Sequence, residues 1–126
     1  MLFRSIESAP HTTLTYNNRI HNLDAFMEHF EYIKNLVGID YVGFGPDTLY
    51  GDHVAMHKAF AANFSQTATK AVAPEHTRVE YVEGLENPTE AMKNVLRWLV
   101  KHNYSDEDIA KVMGLNAIRV LKETWA

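Results

Sequence analysis

Asp47 stands two residues past the run Ile39 to Gly45, with only Pro46 between. That run is mostly apolar or glycine and reads as a buried strand. An aspartate just beyond a strand can take a proton from an attacking water and pass it to a leaving group, or it can ligate a metal that activates the water. Barrel and doubly wound α/β proteins carry their chemistry at that place. Gly43 and Gly45 would let backbone or ligand come close. The letters Gly-Pro-Asp also describe an ordinary turn, and the composition leaves both readings open.

Two further groupings could do chemistry. His53 and His57 are one helical turn apart and could bind one metal ion. In the zinc-protease pattern a glutamate follows the first histidine, and here Val54 takes that place, so no general base comes with the pair. The alternative is a solvated helix face. The tail "SDEDIAKVMGLNAIRVLKETW" has the spacing of a helix-turn-helix, with Ala110 and Gly114 four apart. It holds three basic and four acidic residues, and its second helix would offer DNA only Arg119 and Lys122. Phosphate contacts dominate nucleic-acid affinity, so this balance argues against a reader of DNA and for two helices packed on a core.

These residues need elements to carry them. Asn22 reads as the N-cap of a helix whose stripe is Leu23, Phe26, Met27, Phe30, Ile33, Leu36 and Val37, with Gly38 as its stop. The strand over about 40–45 follows. Residues 51–65 read as a helix, and "RVEYVEG" as extended chain or a short exposed strand. Asn87-Pro88-Thr89-Glu90 is a capping box opening a helix with Met92, Val95, Leu96, Leu99 and Val100 inward. Ser105 caps a short helix with Ile109, Val112 and Met113 inward. Gly114 ends it, and Asn116 caps a last helix carrying Ile118, Leu121 and Trp125. Residues 1–18 read as irregular, and "LFRS" has the look of a processing remnant left out of the fold assignment. The chain thus reads as mostly helical with one strand, in a single partial domain over 1–126. A lone strand of this kind leaves backbone groups unpaired at roughly 1–3 kcal/mol each, so it calls for neighbours, either elsewhere in the protein or in a second copy paired along the exposed strand.

Totals narrow the classes. A net charge of −4 gives no overall footprint for nucleic acid or acidic lipid. Cysteine is absent, which excludes thiolate metal sites and fits a reducing, cytoplasmic setting. No apolar run approaches the ~20 residues of a membrane span, and "MLFRSIESAP" lacks the apolar core of a secretory signal.

Two stretches together, "NLDAFMEHFEYIKNLVGIDYVGFGPD" and "EGLENPTEAMKNVLRWLVKHNYSDEDIAKVMGLNAIRVLKETW", resemble the C-terminal part of the membrane dipeptidase family, the zinc dipeptidases similar to renal dipeptidase. The similarity runs from Asn22 to Trp125, less Tyr50 to Arg78. It implies an α/β fold, the C-terminal fragment of a (β/α)8 TIM barrel, and hydrolysis of dipeptides or related small amides at two zinc ions. Asp47 matches the family's aspartate after the eighth strand, which shuttles the proton of the bridging water to the leaving amine. The family's zinc ligands are an N-terminal His-x-Asp, a bridging glutamate and two histidines. All precede the part present here, and this chain has no His-x-Asp. Where relatives read "G-x-G-x-D-F-D-G" this chain reads "GFGPDTLYGDH", a departure that bears on substrate preference. The resemblance therefore implies a parent hydrolase with a small dipeptide substrate, and a chain inactive alone. The rival expectations are a non-catalytic helical binding or assembly module and, behind it, a DNA-binding helix-turn-helix protein.

Overall fold

The computed structural model describes residues 3–7, 13–45, 59 and 81–125. Helix α1 (Leu23–Val37) starts at Asn22, whose Oδ1 accepts the Ala25 backbone N–H at 3.0 Å. It stops at Gly38, which sits at φ 89° and donates its N–H to Lys34 O at 2.8 Å. That φ is left-handed backbone, which glycine enters at little cost. Phe26, Met27 and Phe30 are fully buried, as the stripe predicts. Leu36 is not part of it and is 62% exposed. At 3.6 residues per turn it stands about 120° round the helix from Phe30.

The chain leaves α1 through a 3-10 turn (Ile39–Tyr41) into strand β2 (Val42–Gly45), so the strand expected over 40–45 is shorter at its start. It is not alone. Residues Arg4–Glu7 form β1, which pairs with β2 in parallel from Arg4 opposite Val42 to Glu7 opposite Gly45. This corrects the reading of residues 1–18 as irregular and the exclusion of "LFRS". Nothing local marks Arg-Ser-Ile-Glu as a strand; the ladder to β2 and the burial of Ile6 in the core decide it. Two parallel strands joined through a helix are a βαβ unit. Gly43 is needed where β2 meets the chain before β1, because a Cβ there would lie 2.9 Å from Phe3 Cζ.

Helix α2 (Pro88–Lys101) opens as its sequence predicts. Asn87 Oδ1 accepts the Glu90 N–H at 2.9 Å, with Pro88 in the first turn. The capping box is half made, because the Glu90 carboxylate pairs with Lys93 Nζ at 2.8 Å instead of reaching back. Ala91, Val95 and Leu99 face the core, while Leu96 and Val100 lie on an exposed flank. The helix closes in a Schellman turn. Asn103 takes φ 60°, its N–H donates to Val100 O at 3.1 Å, and the Tyr104 N–H donates to Leu99 O at 3.1 Å. Ahead of α2, Val82 and Leu85 are buried, and Glu83 makes an isolated parallel bridge to Asn22.

The tail holds α3 (Asp106–Ala110), a wide turn (Lys111–Leu115) bent at Gly114, and α4 (Asn116–Thr124). Ser105 Oγ caps α3 through the Asp108 N–H at 3.1 Å, and Ile109 and Val112 enter the core. Ile118, Leu121 and Trp125, the apolar residues of this last segment, are exposed, Trp125 at 82%. The described residues are thus mostly helical around one two-stranded parallel sheet. No helix among them is long and apolar enough to cross a membrane.

Lys34, Glu31 and Tyr104 tie α1 to the turn after α2. Lys34 Nζ donates to Tyr104 OH at 2.6 Å and pairs with Glu31, and the Tyr104 hydroxyl donates to the Glu31 carboxylate. Burial pushes the Tyr104 pKa up, and the Glu31 carboxylate pushes it the same way. Burial alone would lower the Lys34 pKa, but the hydrogen bonds to Glu31 and Tyr104 outweigh it and raise the value. Both groups have folded pKa values above their unfolded ones. Their contribution is complete below the ordinary tyrosine value of 10.0 and is lost as pH climbs through the raised values. Urea midpoints should therefore fall above pH 10.0, and Tyr104→Phe should flatten that fall. An equal alkaline slope in both proteins would count against this lock.

Candidate functional site

Parallel pairing puts the carboxyl ends of β1 and β2, Glu7 and Gly45, side by side. That end of a parallel sheet is where α/β proteins assemble their chemistry. Asp47 comes two residues after Gly45 and lies outside the described residues, as do His53 and His57. The structure therefore describes how the strand leading to Asp47 is held, and not the side chain itself.

The hold comes from the tail, at the opposite end of β2. Asn116 is 4% exposed and sits inside helical backbone at φ −62° and ψ −43°. It is not the N-cap that its sequence position suggests. Its Nδ2 donates to Ile39 O at 2.7 Å and to Val42 O at 2.8 Å, across more than seventy residues. Arg119 Nη2 donates to Asp40 O at 2.8 Å, and its guanidinium lies 5.6 Å from the centre of the Tyr41 ring. Lys111 Nζ reaches Asp40 Oδ1 at 3.0 Å. Three backbone carbonyls at the entry to β2 thus accept from two side chains of one helix. Arg119, one of the two cations offered to DNA in the helix-turn-helix reading, is committed to this contact.

Asn116→Ala would strip the Val42 carbonyl of a buried donor, at a cost of about 1–3 kcal/mol. Asn116→Asp should be worse, because it sets a carboxylate against two carbonyl oxygens. Urea unfolding of the two variants checks the order, and an Asp variant as stable as the parent would refute it.

No three His, Cys, Asp or Glu side chains gather as a metal site among the described residues. The described part of the chain therefore does not itself fit the two zinc ions that the resemblance implies. His21 is a separate oddity: both its ring nitrogens are buried without a hydrogen-bond partner, next to the cap of α1.

Sequence reasoning passed over one groove. It has a volume of about 380 Å³ and lies between the start of α1 and α2, lined by Asp24, Glu83, Arg97, Trp98 and Lys101 among others. Because α1 runs back from the end of β1 to the start of β2, its first turn lies toward the carboxyl ends of the strands. Arg97 and Lys101, one turn apart on α2, were the available signal, but nothing in the sequence sets Asp24 opposite them.

Set against known proteins, no curated protein and no solved structure matches the chain. A family does. Residues 76–126 match the membrane dipeptidases, peptidase family M19. The matched segment takes in α2 and the whole tail that grips β2, and that segment is similar to a C-terminal portion of the membrane dipeptidase family.

Proposed function

We propose that this chain is the C-terminal segment of a zinc-dependent, dipeptidase-like hydrolase acting on dipeptides or related small amides, and that it is inactive by itself. The family match over residues 76–126 carries the reading. The βαβ arrangement of β1, α1 and β2 supports it, since a (β/α)8 barrel repeats that unit. A parallel sheet that shows two strands among the described residues is also an unusual thing to leave without further strands. The exposed apolar side chains on α4 and at its two ends, Leu115, Ile118, Leu121 and Trp125, fit a tail that the remaining barrel would cover.

In this reading Asp47 holds the proton. Its carboxylate takes a proton from the attacking water and releases it to the amine that leaves when the amide breaks. Asn116 and Arg119 fix the strand that precedes it. The zinc ligands would come from residues upstream of this chain. The test is dipeptide hydrolysis with added zinc. The 126-residue chain should show none. A polypeptide joining it to an upstream portion that carries a His-x-Asp should hydrolyse dipeptides. Hydrolysis by the isolated chain, or none by the joined polypeptide, would overturn the proposal.

A further inference from the structure

The connection from β1 to α1 runs over residues 8–22, against about 2–6 residues for most such connections. It leaves the carboxyl end of β1, and in α/β folds the loops at that end carry binding and selectivity. Connections of such length are commonly functional.

The described part of it, residues 13–22, is pinned along the first two turns of α1. Thr13 is fully buried, and its carbonyl accepts from His29 Nε2 at 3.0 Å. Thr15 Oγ1 donates to the Glu28 carboxylate and accepts the Asn18 N–H at 2.8 Å. The Thr15 N–H donates to Asn18 O at 3.0 Å, which closes the chain over Tyr16 and Asn17. Asn18 then holds the next stretch. Its Oδ1 accepts the Ile20 N–H at 3.1 Å, and its Nδ2 donates to Oδ1 of the cap residue Asn22 at 3.3 Å.

The turn so fixed presents Tyr16 to solvent at 90% exposure, with Ile20 beyond it at 62%. Fixing a backbone costs roughly 1–2 kcal/mol per residue in conformational entropy, and burial of a nearby ring would offset that. Here the backbone is fixed and the ring is left out. A tyrosine on a rigid support suits contact with a ligand, because it offers a large apolar face and few side-chain torsions to freeze on binding. We propose that Tyr16 sets side-chain selectivity in the parent hydrolase, its ring packing against an apolar side chain of the bound dipeptide. This rests on the hydrolase reading and goes beyond it by naming the residue that discriminates among dipeptides.

The test is made in the polypeptide joined to its upstream portion. Leucylglycine and glycylleucine place an apolar side chain at either residue, and glycylglycine has none. In Tyr16→Ala, kcat/KM for leucylglycine or for glycylleucine, relative to glycylglycine, should fall about tenfold, the low end for an apolar contact in a binding pocket. Tyr16→Phe keeps the ring and should keep the ratio. Thr15→Val removes the hydroxyl that holds the turn to Glu28 and should lower the ratio by less than Tyr16→Ala does. The urea midpoint of Tyr16→Ala should match that of the parent, because the ring is exposed. Unchanged ratios in Tyr16→Ala, or a lost ratio in Tyr16→Phe, would overturn the inference and leave the hydrolase reading standing. So would a lower urea midpoint in Tyr16→Ala with unmoved ratios, the mark of a ring covered by a neighbouring part of the parent enzyme. A joined polypeptide that hydrolyses no dipeptide would overturn both.

Discussion

Phe30→Ala should lower the stability of this chain by about 3–5 kcal/mol, the usual cost of deleting a fully buried aromatic ring. The ring is 0% exposed and sits where three parts of the fold meet. Its centroid is 4.9 Å from that of Phe44 in β2 and 5.7 Å from that of Tyr104 after α2. Phe26 reaches the same Phe44 ring at 5.9 Å, so removal of Phe30 takes away the nearer of these two ring contacts. The cavity cannot close easily. Phe44 is fixed by its place in the ladder, and Tyr104 by the Schellman turn and by its hydrogen bonds to Lys34 and Glu31. Urea unfolding with circular dichroism measures the loss, and Phe30→Leu, which refills most of the volume, should recover much of it. A loss below about 1 kcal/mol would mean that the site collapses freely and that the β2–α1 contact is looser than the ring geometry indicates.

Asp47→Asn carries the second large effect, under the proposed hydrolase reading. In the polypeptide joined to its upstream portion, the substitution should reduce kcat for dipeptides by roughly 10²–10⁴-fold, the range for losing a positioned general acid/base. The amide keeps the shape of the side chain but cannot carry the proton. KM should therefore move much less than kcat, and zinc content should stay unchanged if the ligands lie elsewhere. The acidic limb of the kcat profile should also disappear, because the group that must be ionised to accept the proton is gone. Near-parent kcat in the Asp47→Asn variant would remove Asp47 from the mechanism. Loss of zinc from that variant would make Asp47 a ligand instead. The first result would leave the family match over residues 76–126 in place, because that match does not include Asp47.

The helices were legible because their rules are local. Asn22, Asn87 and Ser105 each accept an N–H three residues ahead, and Gly38 stops α1 through its own left-handed backbone. Apolar side chains three and four residues apart define a face with no help from the rest of the chain. Periodicity fixes a stripe but not its width. Leu36, Leu96 and Ile118 meet the pattern loosely and end on the surface, because burial depends on what lies opposite.

What the sequence by itself determined about this protein is helices α1 to α4, the position of β2, and the resemblance later matched over residues 76–126, while the helix expected over 51–65 lies outside the described residues. Only the tertiary structure decided that Arg4–Glu7 is the neighbour of β2, that Asn116 serves carbonyls more than seventy residues away, and that Asp24 lines one groove with Arg97 and Lys101. The physical reason is range. A cap or a helical stripe is settled within four residues, whereas a ladder partner, a buried amide's acceptors and the two sides of a groove are settled by segments that meet only after the chain has folded.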